Sequence, residues 1–153
     1  MRHRKSGRRL DMDSSQRKAM FRNMTTALML HGQIRTTEAR AKELRRFAER
    51  LISIGKRAPS AADLAAASGD ALANARADRV SAIRRLKEWL QDDEAISRVM
   101  GEYADRFRAR PGGYTRVVKV GRPRPGDNAP MAILQLVEPM GAATAATEPA
   151  AAT

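Results

Sequence analysis

Basic side chains in three clusters are the residues of this sequence whose types and spacing suggest a chemistry, namely the binding of phosphate. Arginine, which supplies 23 of the 29 basic residues, presents a planar fork of N–H donors that pairs with phosphate and stacks on bases. The clusters therefore predict an RNA-binding surface. Its candidate residues are Arg2, His3, Arg4, Lys5, Arg8 and Arg9; Arg17, Lys18, Arg22, Arg35, Arg40, Lys42, Arg45 and Arg46; and Arg110, Tyr114, Arg116, Lys119, Arg122 and Arg124.

Each cluster also has a simpler interpretation. The N-terminal cations could be a solubilising or localisation tail, and the second set could be the ordinary solvated face of two helices. Tyr114 could stack on a base or be a core residue of a strand. A GC-rich genome would also raise the share of arginine without any function. The sequence leaves these alternatives open.

Catalytic and metal-binding patterns are weak. The sequence contains no GxSxG, HExxH, P-loop or GxGxxG motif, and it has no cysteine. Asp127 could act as a base or a metal ligand, but the run Gly126, Asp127 and Asn128 is far more typical of a turn. His31 is more typical of a residue that packs or complements a helix dipole than of a general base. The sequence predicts no enzyme activity, catalytic or metal site, cofactor or small-molecule substrate.

The positive charge is concentrated in the first third of the chain. The formal net charge is +12, of which residues 1–57 carry +11 and residues 58–153 carry +1. Such asymmetry favours a polyanionic partner. No apolar run approaches the ~18 residues that a membrane span requires, and the first ten residues lack the apolar stretch of a secretory signal. The expectation is a cytoplasmic protein without a membrane partner.

The elements that must position the cations predict an α+β fold of about four helices packed on a small sheet. A block of like charge without apolar periodicity cannot fold alone, so residues 1–13 are predicted to be an extended basic arm. A first helix begins near Ser14 and stops at Gly32, and a second begins at the Thr36–Thr37 pair and ends at Gly55. The predicted inward residues are Met20, Met24, Ala27, Leu28 and His31, then Leu44, Phe47, Ala48, Leu51 and Ile52.

The rest of the chain predicts an insertion, two further helices and a C-terminal hairpin, which complete a single domain over residues 14–138. Residues 58–77 are Ala-rich and form an insertion outside the core. A third helix spans 78–90 and a fourth begins at Asp92 or Asp93. Strands at 114–120 and 131–137 pair as a hairpin, residues 33–35 are a short link or strand, and residues 139–153 are a disordered tail. The predicted inward residues are Val80, Ile83, Leu86, Leu90 and Trp89, then Ile96, Val99, Met100, Tyr103 and Phe107.

Five segments of the sequence carry a resemblance to a known family. They are MRHRKSGRRL, RKAMFRNMTTAL, RTTEARAKELRR, GGYTRVVKVG and RPGDNAPMAILQLV, in this order. They resemble the bacterial large-subunit ribosomal protein L-seventeen family over about residues 1–55 and 107–138. Residues 58–77 depart from that family, because the stretch is longer than usual, and its role stays open. The family pattern begins at Met1, from which we expect a bacterial source without an organelle presequence.

The resemblance implies a structural protein of the ribosome without catalysis or cofactor. Its partners would be large-subunit rRNA, near the peptide exit tunnel, and neighbouring large-subunit ribosomal proteins. The family's rRNA contacts match Arg2, His3, Arg4, Lys5, Arg8 and Arg9 of the arm, and then Arg17, Arg22, Arg35, Lys42, Arg45, Arg46, Tyr114, Arg116 and Lys119. Two other functions remain as alternatives, a free DNA- or RNA-binding regulator and an RNA-processing enzyme. The enzyme would need a cluster of acid, base or metal ligands that the sequence does not supply.

Overall fold

The structure, a computed structural model, describes residues 7–137. The predictions for Arg2, His3, Arg4 and Lys5 and for the tail at 139–153 lie outside the described residues. Within that range the chain forms five helices and three strands. They are α1 Ser14–His31, β1 Gln33–Thr37, α2 Glu38–Arg57, α3 Ala61–Ala66, α4 Gly69–Lys87, α5 (Asp93–Arg98, a π-helical turn Val99–Tyr103 and Ala104–Arg106), β2 Thr115–Lys119 and β3 Met131–Leu136. The predicted α+β fold with a C-terminal hairpin is confirmed.

The three strands form one antiparallel sheet in the order β1-β3-β2. In its central row, Leu134 of β3 pairs with Ile34 of β1 and with Val117 of β2. Directly opposed residues of antiparallel strands point to the same face, so this row faces the helices together with the buried Ala132 and Leu136. Helix α2 packs across this inner face. The predicted link at 33–35 is therefore a strand, and it makes the hairpin a three-stranded sheet.

Helix α1 confirms part of the predicted stripe, because Leu28 is buried and Met20 and Met24 pack half-buried against the core, but the centre of its buried face is shifted. Its buried residues are Phe21, Thr25, Leu28 and Met29, whereas His31 is exposed at the C-terminal end. The prediction started the stripe at Met20, one residue early, and a shift of one residue turns a helix face by about 100°. Thr25 was overlooked because it is polar. Its hydroxyl donates to the carbonyl oxygen of Phe21 over 2.6 Å, which satisfies the group within the core.

Helix α2 runs past Gly55, so the prediction that this glycine ends the helix is wrong. The helix stops at Arg57 because Ala58 precedes Pro59, and a residue before proline is driven out of the helical region; Ala58 has φ −72° and ψ 145°. Gly55 is instead a close-packing residue. A Cβ atom built there would lie 2.6 Å from the carbonyl oxygen of Val99 in α5.

The Ala-rich insertion is helical, and the predicted start of the third helix at 78 is wrong. Helix α3 begins with a capping box between Ser60 and Asp63, and α4 begins at Gly69. Alanine has the highest intrinsic helix propensity, so this stretch forms helix with little core to bury. Only Ala82 and Leu86 of α4 are buried, and Val80, predicted to point inward, is 46% exposed.

Helix α5 buries the stripe that the sequence predicted, and it carries the aromatic part of the core. Tyr103 donates its hydroxyl to the carbonyl oxygen of Met29 over 2.7 Å, which ties α5 to α1. The ring of Phe107 lies 6.5 Å from that of Tyr103 and 5.1 Å from that of Tyr114. On the other side of the molecule, Phe47 stacks on Phe21, and the two ring centroids lie 4.8 Å apart. This core fixes the sheet and helices on which the cations stand.

Candidate nucleic-acid interface

The described end of the basic arm is attached to the domain. Leu10 packs against the hydrophobic core, and the backbone turns at Leu10 and Asp11, whose φ angles are 57° and 53°. Arg8 lies near α2, where its Nε atom is 3.9 Å from Oε1 of Glu43. Arg8 and Arg9 are both exposed. The guanidinium group of Arg8 is therefore held beside α2, and both arginines remain accessible to a ligand.

Several candidate cations on the helices are engaged in ion pairs at the surface. Lys18 contacts Glu88 at 3.7 Å, and Arg45 contacts Glu49 at 2.9 Å. Pairs between exposed side chains contribute about 0–1 kcal/mol, so exchanging the carboxylate for a phosphate is inexpensive. Such pairs orient the cation and leave it able to bind a phosphate.

Glu38 connects the helical cluster to the hairpin. Its carboxylate accepts from Lys42 over 2.6 Å and lies 3.2 Å from the ammonium group of Lys119. The hydrogen bonds from Lys42 and then from Lys119 lower the pKa of Glu38. Two cations from separate clusters therefore meet at the start of α2, where β1 ends.

The outer face of the sheet brings Arg35 and Arg116 together, although they lie far apart in the sequence. Arg116 shares a row with Gln135 and Gln33, and Arg35 lies in the next outward row with Ile133 and Val118. We call these residues, together with Met131, the open sheet face. Its two arginines are exposed and stand on the two edge strands, one outward row apart, so that their Cα atoms lie roughly 12 Å apart across the central strand. The face contains no acidic residue.

Other candidates are less accessible. Arg17, Arg22, Arg40 and Arg110 are half-buried, whereas Arg46 is exposed. The Nε atom of Arg22 is buried without a hydrogen-bond partner among residues 7–137. Such a group retains an unused donor that an external acceptor could fill.

Tyr114 is a core residue, which is one of the two alternatives that the sequence left open. Its side chain is 4% exposed. The ammonium group of Lys56 lies 5.4 Å from the ring centroid and also donates to the carbonyl oxygen of Arg110. The ring of Phe107 also contacts it, and a ring this deeply buried has no open face for a base.

The loop between β2 and β3 carries Arg122 and Arg124 on exposed backbone. Arg124 pairs with Asp127, whose Oδ1 atom accepts from Nε over 3.0 Å, and whose Oδ2 atom accepts from Nη2. The backbone N–H of Ala129 also donates to Oδ1 of Asp127 over 3.3 Å. Asp127 thus shapes the turn, as its sequence context indicated.

Arg124 lowers the pKa of Asp127 to about 2, from an ordinary 3.8. A carboxyl group with a lowered pKa contributes its interaction fully above the ordinary pKa and loses it as the pH falls through the lowered one. We expect an NMR titration to place Asp127 near 2 and to return it toward 3.8 in Arg124→Gln. A midpoint that does not move in the variant would contradict this pairing. A carboxylate this acidic is a poor general base at neutral pH.

Membrane and metal sites can be assessed for residues 7–137. In that range no helix has the length and apolar character needed to cross a bilayer. The same residues contain no group of three or more His, Asp or Glu side chains that could hold a metal ion.

Comparison with known proteins identifies the family. The family model described as Ribosomal protein L17 matches residues 20–137. The chain belongs to the ribosomal protein L17 family. Three similar proteins are each named large ribosomal subunit protein bL17. That of Syntrophotalea carbinolica is 46% identical over 138 residues, covering 90% of this chain and 76% of the relative. That of Geobacter sulfurreducens is 42% identical over 138 residues, covering 90% and 67%. That of Nitratidesulfovibrio vulgaris is 41% identical over 152 residues, covering 99% of each.

Membership of the L17 family agrees with the predicted resemblance and with the predicted absence of enzyme activity, because the relatives are ribosomal proteins. It also agrees with the predicted location in the ribosome, which in bacteria lies in the cytoplasm. The open sheet face was missed as a unit, because Arg35 and Arg116 were assigned to different clusters. Side chains alternate between the two faces along β1 and β2, and this alternation could have shown that Arg35 and Arg116 share a face. It required residues 33–37 to be predicted as a strand paired with the hairpin.

Proposed function

We propose that this protein is a structural constituent of the large ribosomal subunit that binds large-subunit rRNA near the peptide exit tunnel. The observation that carries the proposal is the open sheet face, where Arg35 and Arg116 from opposite edge strands lie on one acid-free surface. The net charge of +11 over residues 1–57 supplies the long-range attraction to a polyanion. Neighbouring large-subunit proteins are the expected protein partners.

The chemistry of the open sheet face fits recognition of the RNA backbone rather than of base edges. The two arginines offer forked donors to phosphates, and Gln33 and Gln135 offer amide groups to sugars or phosphates between them. Val118 is 40% exposed and half-buried Ile133 lies beside it, so apolar surface fills the space between the polar groups. Tyr114 is buried in the core, and the open sheet face itself has no aromatic side chain on which a base could stack. The face is therefore suited to bind folded RNA by its shape.

The Arg35→Gln/Arg116→Gln variant should weaken binding to bacterial large-subunit rRNA and lower its dependence on salt. Each phosphate contact that is removed reduces the slope of log K against log salt by about 0.7–0.9, so the pair should reduce it by about 1.5. Filter binding across a salt series measures the slope. The matched control is Arg76→Gln/Arg84→Gln, which removes the same charge from two exposed positions of α4. Equal slopes for the two variants would show a general charge effect and contradict the assignment of this face.

The absence of cysteine in the chain allows a direct test of position. Iron-EDTA tethered to Val118→Cys in assembled large subunits should cleave rRNA close to the open sheet face, and the cleavages should cluster around the mouth of the exit tunnel. Cleavage elsewhere in the subunit would contradict the location near the exit tunnel but would still support contact between the open sheet face and rRNA. A protein that sediments apart from the large subunit, or far below stoichiometric amounts, would reject the whole proposal.

A further inference from the structure

A groove between α2 and α4 is a second basic site on this molecule, and none of its arginines was among the candidate RNA-binding residues. It has a volume of about 540 Å³. It is lined by Arg50, Ser53, Ile54 and Arg57 from α2, by Asp78, Ser81, Ala82 and Arg85 from α4, and by Ala58 and Pro59 at one end. On each helix the lining residues follow the spacing i, i+3, i+4 and i+7, which is one continuous helix face. Three of the four residues in the middle of these faces, Ser53, Ser81 and Ala82, have small side chains and leave the groove open.

The two helices run antiparallel along the groove. At one end, Nη1 of Arg79 in α4 donates to the carbonyl oxygen of Pro59 over 2.7 Å. At the other end, the ring of Trp89, just after α4, lies 4.8 Å from that of Phe47 in α2. This alignment places Arg50 at the same end of the groove as Arg85, and Arg57 at the same end as Asp78.

The charges in the groove are unbalanced. Arg50, Arg57 and Arg85 form no ion pair or side-chain hydrogen bond with any other described residue, and Asp78 is the one acidic side chain among the lining residues. The acid nearest in sequence to Arg50 is Glu49. That carboxylate is already held by Arg45 and by the hydroxyl of Thr115, both over 2.9 Å.

Two guanidinium groups at one end of a groove repel each other until an anion lies between them. A diester phosphate suits such a pair, because each arginine fork can bind its oxygens with two N–H groups. The hydroxyl of Ser81 adds a hydrogen-bond donor from α4. The volume of the groove suits a few nucleotides of a nucleic-acid strand rather than a folded partner.

We propose that this groove binds the phosphate backbone of an RNA strand, with Arg50 and Arg85 on one phosphate. The inference rests on the proposed function, because it takes rRNA as the ligand, but it assigns a separate site. Helix α2 packs on the inner face of the sheet, and α4 packs on α2, so the groove and the open sheet face lie on different sides of the molecule. The groove would hold an RNA segment other than the one on the sheet.

The Arg50→Gln/Arg85→Gln variant tests the site. Glutamine keeps part of the aliphatic stem and removes the charge, and the matched control is again Arg76→Gln/Arg84→Gln, whose positions lie outside the groove lining. The variant should lower the salt slope of binding to bacterial large-subunit rRNA by about 1.5 and the control by less. Unfolding midpoints by circular dichroism should agree among the three proteins, which separates a loss of RNA binding from a loss of folding.

Iron-EDTA tethered to Ser81→Cys in assembled large subunits gives an independent result. We expect rRNA cleavage at positions distinct from those produced from Val118→Cys. No rRNA cleavage from Ser81→Cys, or cross-linking of this position to an acidic segment of a neighbouring protein, would overturn the inference. If the sheet variant behaves as expected and the groove variant binds like wild type, only the groove inference fails. If the wild-type protein does not bind rRNA, the proposed function itself fails.

Discussion

Removal of residues 1–9 is expected to weaken binding to bacterial large-subunit rRNA on the order of a hundredfold at low salt while the domain stays folded. The deletion takes away Arg2, Arg4, Lys5, Arg8 and Arg9, and with them five of the cations available to phosphate. If each contacts a phosphate, the slope of log K against log salt should fall by about 4. No other single change to the chain removes as much charge from so short a segment.

The fold should tolerate this deletion because residues 7–9 interact only weakly with the rest of the domain. Arg8 meets Glu43 at 3.9 Å with 57% of its own side chain exposed, which is the kind of pair that contributes little to stability. Leu10, which packs against the core, is retained. The unfolding midpoint should therefore change by less than about 2 °C, since a shift of that size corresponds to roughly 1 kcal/mol or less in a protein of this length.

The informative control keeps the length of the arm and changes only its charge. A variant with all five cations replaced by glutamine should lose as much affinity as the deletion, if phosphate binding is the reason. The measurements are binding constants over a salt series and incorporation into large subunits reconstituted with the variant. Wild-type affinity in either variant would show that the arm contributes nothing to RNA binding, and the RNA-binding surface would then lie wholly on the folded domain.

The sequence was sufficient where a feature depends on local pattern. The stripe of α5 was predicted residue by residue because large apolar side chains recur there at helical spacing, from Ile96 to Phe107. The hairpin was predicted because two β-rich runs flank a loop with three prolines. In both cases the signal and its cause lie within one short segment, residues 96–107 for the stripe and 114–137 for the hairpin.

The sequence was insufficient where a feature depends on a partner distant in the chain. The open sheet face requires the register of β1 on β3, which joins residues about 100 positions apart. The groove requires α4 to pack along α2, and the local pattern of neither helix indicates that pairing. The inward face of α1 was only partly predicted, because Thr25, a polar residue, lies at its centre.

Gly55 shows the same limitation at a single position, and it carries the second large expected effect. Glycine is frequent after the last turn of a helix, so the sequence favoured a helix end. The structure instead has α2 crossing α5 at this point so closely that an added Cβ atom would lie 2.6 Å from the carbonyl oxygen of Val99 and 2.7 Å from its Cγ1 atom. One of these contacts is with backbone, which cannot rotate away as a side chain can.

Gly55→Ala should therefore destabilise the protein by about 2 kcal/mol, because a clash with backbone lies at the upper end of the 1–3 kcal/mol that overpacking a core typically costs, and the gain in helix propensity recovers about 1 kcal/mol. The unfolding midpoint should fall by roughly 4–8 °C, measured by circular dichroism or calorimetry. The matched control is Gly101→Ala in α5, where a Cβ atom meets no other atom within 4 Å, and where alanine should leave stability unchanged or raise it slightly. Equal midpoints for the two variants would mean that α2 and α5 can separate without cost, and that the close crossing does not contribute to the rigidity of the framework between the sheet and the groove.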